Sequence, residues 1–143
     1  MTAFWKNYYV DFTIEDGQKN YVFAAPIENI ETVVPLTRKI PYTVPPRAHS
    51  HVLCVMNPYG LFVTVFNLLS LFGLLFTPKT ANIIVIFNFS GRRIGVPAQS
   101  AHLVSAYPYE LSDDEATGTK IFMNGEVPHF TLNIHRLYES LEK

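Results

Sequence analysis

The stretch VLCVMNPYGLFVTVFNLLSLFG, residues 52–73, decides the fold that this sequence predicts. Two apolar runs, residues 52–56 and 61–66, flank the segment Asn57-Pro58-Tyr59-Gly60. An Asn-Pro pair favours the start of a turn, and glycine accepts the positive φ that tight turns need. Short apolar runs rich in aromatic and β-branched residues favour strands. We therefore expect a β-hairpin here, buried inside the core.

Working outward, the flanking segments also predict short strands joined by turns. Tyr8, Val10, Phe12 and Ile14 alternate with polar positions, which predicts a half-buried strand. Asp-Gly at 16–17 and Asn-Gly at 124–125 are strong hairpin signals. Residues 83–89 and 94–96 are apolar and predict two further strands, whereas 107–119 predicts a loop.

The last segment is the one convincing helix of the sequence. Ile134, Leu137, Tyr138 and Leu141 lie on one apolar face at helical spacing, and Asn133 is a suitable N-cap. Many short strands and a single terminal helix predict a mainly β protein built as one small barrel or two. A length of 143 residues suits one domain or two small intertwined lobes.

Composition excludes several function classes. The formal net charge is -1, so no basic field exists to hold nucleic acid or an anionic membrane surface. The single cysteine, Cys54, excludes an internal disulfide and favours a buried, inert thiol. The apolar run at 61–76 is too short for a membrane helix, and Asn67 and Ser70 interrupt it. With no signal peptide at the N-terminus, we expect a cytoplasmic protein without membrane insertion.

No catalytic or metal-binding motif is found in the sequence. His49 and His51 share one face if their segment is a strand, but a zinc site needs three or four ligands. His102, His129 and His135 are distant in sequence, and surface or capping roles are the favoured interpretation. No nucleophile has a base and an orienting group at a recognisable spacing. We expect neither catalytic residues, nor a metal, nor a cofactor.

Four stretches, in this order and spacing, resemble the CheW-like domains, the adaptor modules of bacterial chemotaxis. They are YYVDFTIEDGQKNYVFAAPIENIETVVPL, HVLCVMNPYGLFVTVFNLLSLFG, IIVIFNFSGRRIGVPAQSAHLVSA and MNGEVPHFTLNIHRLYESL. The first is similar to the family's opening strands, and the second to its strand, Asn-Leu-Arg-Gly turn and strand. The third is similar to the Gly-Val stretch of the second lobe, and the fourth to the closing hairpin and helix.

The resemblance implies a mainly β fold of two small intertwined five-stranded β-barrels with a short C-terminal helix. It implies a single CheW-like domain at 1–143, with lobe 1 at approximately 15–76 and lobe 2 at approximately 1–14 plus 77–143. It also implies a non-enzymatic adaptor that couples the cytoplasmic tip of a methyl-accepting chemoreceptor to the regulatory domain of a CheA-like histidine kinase. The pathway is then chemotaxis or a related two-component pathway.

The resemblance also identifies candidate partner-binding residues. In the family an apolar groove between the lobes receives the receptor tip, which points to Ile27, Ile30, Val33, Ile83 and Val85. The turn of the central hairpin contributes Asn57 and Tyr59, where Tyr59 stands in place of the family's arginine. The alternative is a small β-barrel that shares only the fold and acts as a structural or ligand-binding module; an unrecognised enzyme is a third reading.

Overall fold

The computed structural model describes residues 6–15, 19–36, 42–43, 51–72, 81–114 and 119–141. Within them the chain forms twelve strands and two helices. The strands are β1 (Asn7–Glu15), β2 (Asn20–Pro26), β3 (Ile30–Pro35), β4 (Tyr42–Thr43), β5 (Val52–Met56), β6 (Val63–Phe66), β7 (Ile83–Phe89), β8 (Arg92–Ala98), β9 (Ser100–Ala106), β10 (Ser112–Asp114), β11 (Thr119–Asn124) and β12 (Val127–Thr131). The helices are α1 (Leu68–Leu71) and α2 (Ile134–Leu141), and 3-10 turns lie at Ile27–Asn29, Pro58–Gly60 and Pro108–Glu110.

The strands form two six-stranded sheets. Sheet A has the order β10-β11-β12-β2-β1-β9, and sheet B has the order β3-β7-β8-β6-β5-β4. Neighbouring strands are antiparallel, except that β12 pairs parallel with β2 and β6 pairs parallel with β8. These two parallel pairs join segments that are far apart in the sequence, so in each sheet they connect groups of antiparallel strands into one sheet.

The main core lies where both sheets and both helices meet. Sheet A contributes Phe12, Ile14 and Phe23, and sheet B contributes Val85 and Phe87, among other residues. The helices contribute Leu68 and Leu69 from α1 and Ile134, Leu137 and Tyr138 from α2. Because Phe12 packs stacked on Phe23 and edge-on to Phe87, aromatic rings connect the two sheets directly.

Each sheet also buries apolar side chains on its other face. Val34, Met56, Val63, Val65, Ile84 and Ile86 form a second cluster on sheet B, which Cys54 partly joins. Tyr9, Ala24, Ala106 and Phe122 form a third cluster on sheet A. Burial raises the pKa of the Cys54 thiol, so the reactive thiolate is disfavoured there. A mainly β fold in which sheets bury apolar residues on both faces agrees with the predicted architecture.

The predicted fold class and the C-terminal helix are confirmed. The Arg136 backbone N–H donates to Asn133 Oδ1 at 3.1 Å, which is the predicted cap of α2. Three details of the prediction are wrong. β1 does not follow the predicted alternation, since Tyr9 and Asp11 are buried whereas Tyr8 is 53% exposed. β5 is mostly half-buried and not, as predicted, buried inside the core. The predicted loop at 107–119 contains β10.

The predicted division into lobes, 15–76 against 1–14 plus 77–143, stays a prediction. Sheet A draws its strands from residues 7–26 and 100–131, and sheet B from residues 30–98. Hydrogen bonding therefore crosses both predicted boundaries, for instance where β1 pairs with β2 and β3 pairs with β7. The Asp-Gly turn at 16–17, the linker at 77–80 and His49 lie outside the described residues.

Candidate partner-binding surface

Four of the five predicted groove residues share one face of sheet B. Ile30 and Val33 lie on the edge strand β3, and Ile83 and Val85 lie on the neighbouring strand β7. The register places Val33 opposite Val85. All four side chains pack in or against the main core. Ile83 and Val85 are alternate positions of β7, and the β-bulge between Ile30 and Thr32 puts Ile30 and Val33 on the same face. The structure therefore brings these residues together.

Their exposure differs, and one prediction is wrong. Val85 is completely buried within the main core, so it lines no exposed strip. Ile30, Val33 and Ile83 are half-buried at the margin of the core. Ile27 precedes β3 in a 3-10 turn, and its side chain is 45% exposed. The accessible apolar surface is thus Ile27 with the outer parts of the three half-buried side chains.

A polar cluster fixes the edge strand that carries this surface. Arg93 Nε donates to Glu31 Oε2 at 2.7 Å, and Asn88 Nδ2 donates to Glu31 Oε1 at 3.2 Å. The hydrogen bond from Arg93 lowers the pKa of Glu31 below its usual range. Because these side chains come from β3, β7 and β8, the cluster ties the edge to the middle of sheet B.

The second predicted site, the tip of the β5–β6 hairpin, is a separate apolar surface. Tyr59 is 82% exposed and Phe62 is 76% exposed. Tyr59 has a φ of 54°, in the left-handed region that non-glycine residues rarely adopt. Asn57 is half-buried, and its Oδ1 has no hydrogen-bond partner among the described residues. Two strands, β7 and β8, lie between β3 and the β5–β6 hairpin, so the two predicted surfaces are not brought together.

Sequence reasoning missed a buried polar pair on sheet A. His129 on β12 is 3% exposed, and its Nε2 lies 3.0 Å from Oδ2 of Asp11 on β1. Between these strands runs β2, where Ala24 has only a methyl group and lets the ring reach across. His102 Nδ1 lies 3.4 Å from the other carboxyl oxygen of Asp11. The expected surface or capping role is therefore wrong for His129. A local sequence pattern could not predict this contact, because the two residues are 118 positions apart.

One serine and one histidine approach each other as a nucleophile and a base would. His51 Nδ1 lies 2.6 Å from Ser70 Oγ. The Ser70 hydroxyl, however, donates its proton to the Asn67 carbonyl oxygen at 2.7 Å, so it accepts the bond from His51. Asn67 Oδ1 in turn accepts from the Ser70 backbone N–H. The arrangement stabilises the short helix α1 and leaves the serine without an activating base.

A cavity of about 320 Å³ opens between β10, β11, β12 and the start of α2. Tyr9 and Leu132 form part of its apolar wall, and Lys120 and Arg136 contribute cations. Lys120 Nζ is paired with Asp113 Oδ1 at 3.0 Å. No set of three metal-ligating side chains converges in the described part of the chain. Neither of the two described helices has the length and apolar run that a membrane crossing requires.

Comparison with known proteins identifies the family. The model of the CheW-like domain matches residues 9–116, which is 108 of the 143 residues. The crystal structure of the scaffolding protein TtCheW from Thermoanaerobacter tengcongensis is similar at a TM-score of 0.74, with 16% identity and 94% of each chain covered. At this identity the likeness shows the fold alone. No curated protein matches the sequence significantly. The chain belongs to the CheW-like domain family.

Proposed function

We propose that this chain is a non-enzymatic cytoplasmic adaptor that couples a chemoreceptor to a CheA-type histidine kinase in chemotaxis or a related two-component pathway. The observation that carries the proposal is the match of the CheW-like domain over residues 9–116. The similar structure, TtCheW, is described as a scaffolding protein and aligns over 94% of this chain. Two separate exposed apolar surfaces suit a protein that holds two partners at once.

The surface at Ile27 is the proposed receptor contact. Its apolar residues lie on or beside the edge strand β3: Ile30 and Val33 are on the strand, Ile27 precedes it and Ile83 is on the neighbouring β7. The ion pair of Glu31 with Arg93 holds this edge in place. An amphipathic helix binds by laying its apolar face into such a groove. The receptor tip is therefore the partner expected at this surface.

The hairpin tip is the proposed kinase contact. The family's turn has an arginine, whose guanidinium holds a carboxylate by two parallel bonds. Tyr59 offers a neutral hydroxyl and an exposed ring instead, and Phe62 beside it is also exposed. A typical kinase surface would leave its carboxylate unpaired here. We therefore expect weak binding to a typical CheA and stronger binding to a kinase whose matching surface is apolar or aromatic.

The test is a titration of the protein against the CheA-like regulatory domain and the receptor-tip helix of its own organism. Ile27→Asp should abolish receptor binding, because it places a charge in the apolar contact. Val127→Asp is the matched control, since Val127 is 46% exposed and lies on β12. Tyr59→Arg should weaken binding to the cognate kinase and strengthen binding to a typical one. The proposal is contradicted if the natural protein fails to bind the cognate kinase domain, the cognate receptor helix or both.

The cavity near Arg136 favours a second candidate, a ligand-binding module that shares only the fold. Arg136 would receive the carboxylate of a small organic anion, and Tyr9 and Leu132 its apolar part, whereas Lys120 is already paired with Asp113. Titration with sodium benzoate, followed by NMR, tests this candidate. Saturable binding that Arg136→Gln removes would support it, and unchanged spectra at millimolar benzoate would exclude it.

A further inference from the structure

The four edges of the two sheets differ in their protection against pairing with another chain. β4 has two residues and β10 has three, and β10 includes the exposed carboxylate of Asp113. β3 carries Glu31, a β-bulge between Ile30 and Thr32, and Pro35. Short length, charge, bulges and proline are the features that prevent edge-to-edge association. Three of the four edges are therefore protected.

The fourth edge, β9, has none of these features. Its seven residues, SAHLVSA, include no Lys, Arg, Asp, Glu or Pro. Its register with β1 is regular from Asn7↔Ala106 to Thr13↔Ser100, and no described strand pairs with its outer side. Leu103 is 62% exposed. Among the described strands, such a long and regular edge without Lys, Arg, Asp, Glu or Pro is available for an additional strand.

The face of sheet A beside this edge is also apolar. Tyr8 on β1 is 53% exposed and lies directly opposite Ser105 on β9. Ser105 and Leu103 are two positions apart, so Leu103 and Tyr8 share one face as diagonal neighbours. A strand added at β9 would place its side chains beside Leu103, with Tyr8 one strand further in on the same face. The edge therefore offers both backbone hydrogen bonds and apolar contact.

We propose that β9 pairs antiparallel with β9 of a second copy of this chain, around a two-fold axis at Leu103. In this register Leu103 faces Leu103 of the second copy, His102 faces Val104, and Ala101 faces Ser105. Large residues meet at the centre and small residues meet at the ends, and no two charged side chains face each other. This self-complementarity favours a second copy over an unrelated peptide, because a two-fold interface requires it.

The dimer is weak and depends on concentration. One pair of seven-residue strands is smaller than a standard interface, so we expect a dissociation constant on the order of 100 µM. Partner binding at the two surfaces proposed above uses β3 and the β5–β6 hairpin, which belong to sheet B. Self-association at β9 is thus independent of the adaptor function, and either can fail without the other.

Sedimentation velocity of the full chain, from about 5 to about 500 µM, tests the proposal across the expected dissociation constant. Leu103→Lys and Leu103→Glu should each weaken association at least tenfold, because two like charges then face each other at the axis. An equimolar mixture of the two variants should associate again, because Lys then faces Glu. Met123→Lys is the matched control: Met123 is 51% exposed on β11, and its substitution should leave association unchanged.

Thermal unfolding of each variant checks that it is folded, and exposed Leu103 predicts little change. Concentration-dependent slowing of amide hydrogen exchange at residues 100–106 in the natural protein locates the interface without any substitution. A natural protein that stays monomeric over the whole range overturns the proposal. So does a mixture of the Lys and Glu variants that remains monomeric, or a control that weakens association as much as Leu103→Lys.

Discussion

Gly95, in the middle of β8, is the position where the smallest substitution should have the largest effect. A Cβ at this residue would lie 2.7 Å from Ile84 Cγ2 and 3.0 Å from Val63 Cγ1. It would lie 3.5 Å from Val65 Cγ2, which is an ordinary contact. We predict that Gly95→Ala destabilises the fold, although alanine is the more favourable residue in most strands.

The magnitude follows from these distances. Carbon atoms pack at about 3.5–4.0 Å, so a methyl group of Ile84 would have to move by about 1 Å. Ile84 and Val63 are buried on β7 and β6, which flank β8 on its two sides, so neither can retreat freely. Overpacking of this kind costs about 1–3 kcal/mol. The smaller conformational freedom of alanine in the unfolded chain offsets about 0.4–1 kcal/mol, so the middle of the two ranges leaves a net loss of about 1.3 kcal/mol.

Urea unfolding, followed by circular dichroism, measures this loss, and a double-mutant cycle assigns its cause. Ile84→Ala removes the clashing methyl group, so in that background Gly95→Ala should cost at least about 1 kcal/mol less. Val65→Ala is the control background, since it removes two methyl groups of which the nearer makes only an ordinary contact at 3.5 Å, and there the full cost should remain. A Gly95→Ala protein as stable as the natural one, or an equal cost in both backgrounds, would refute the reasoning.

Three further predictions concern polar groups. Glu31→Gln should lower the free energy of unfolding by about 0.5 kcal/mol at neutral pH, which is typical of partly exposed ion pairs. Because Arg93 lowers the pKa of Glu31, the difference in stability between variant and natural protein, measured by urea unfolding, should vanish as the pH falls through that lowered pKa. His129→Ala should cost about 2–4 kcal/mol in the same assay, since it leaves a cavity and a buried Asp11 carboxyl group without its donor. Burial raises the pKa of Tyr138 to about 12, so Tyr138→Phe should leave the absorbance titration of the tyrosines unchanged near pH 10 and remove one ionisation near pH 12. The neutral hydroxyl of Tyr138 stabilises the natural protein below pH 10, and this stabilisation should be lost as the pH rises from about 10 to about 12.

Local patterns predicted the elements whose stabilising contacts are close in sequence. α2 begins after its predicted cap Asn133, because the cap and the apolar face lie within the nine residues 133–141. The Asn-Gly signal at 124–125 predicted the turn between β11 and β12, where Gly125 has a φ of 66°. Alternation likewise predicted β1 as a strand, and a continuous apolar run predicted β7. These features need only the chain's own geometry and its side-chain periodicity.

The sequence by itself thus determined the β-rich class, the hairpin turns, the terminal helix and, through resemblance, the family. Only the tertiary structure decided that Val85 is core, that His129 reaches Asp11, and that β9 is an unprotected edge. The physical reason is common to all three. Periodicity tells which way a side chain points, whereas burial and edge position depend on which distant strand lies alongside. The parallel pairs β2–β12 and β6–β8 set that order, and no short-range pattern encodes them.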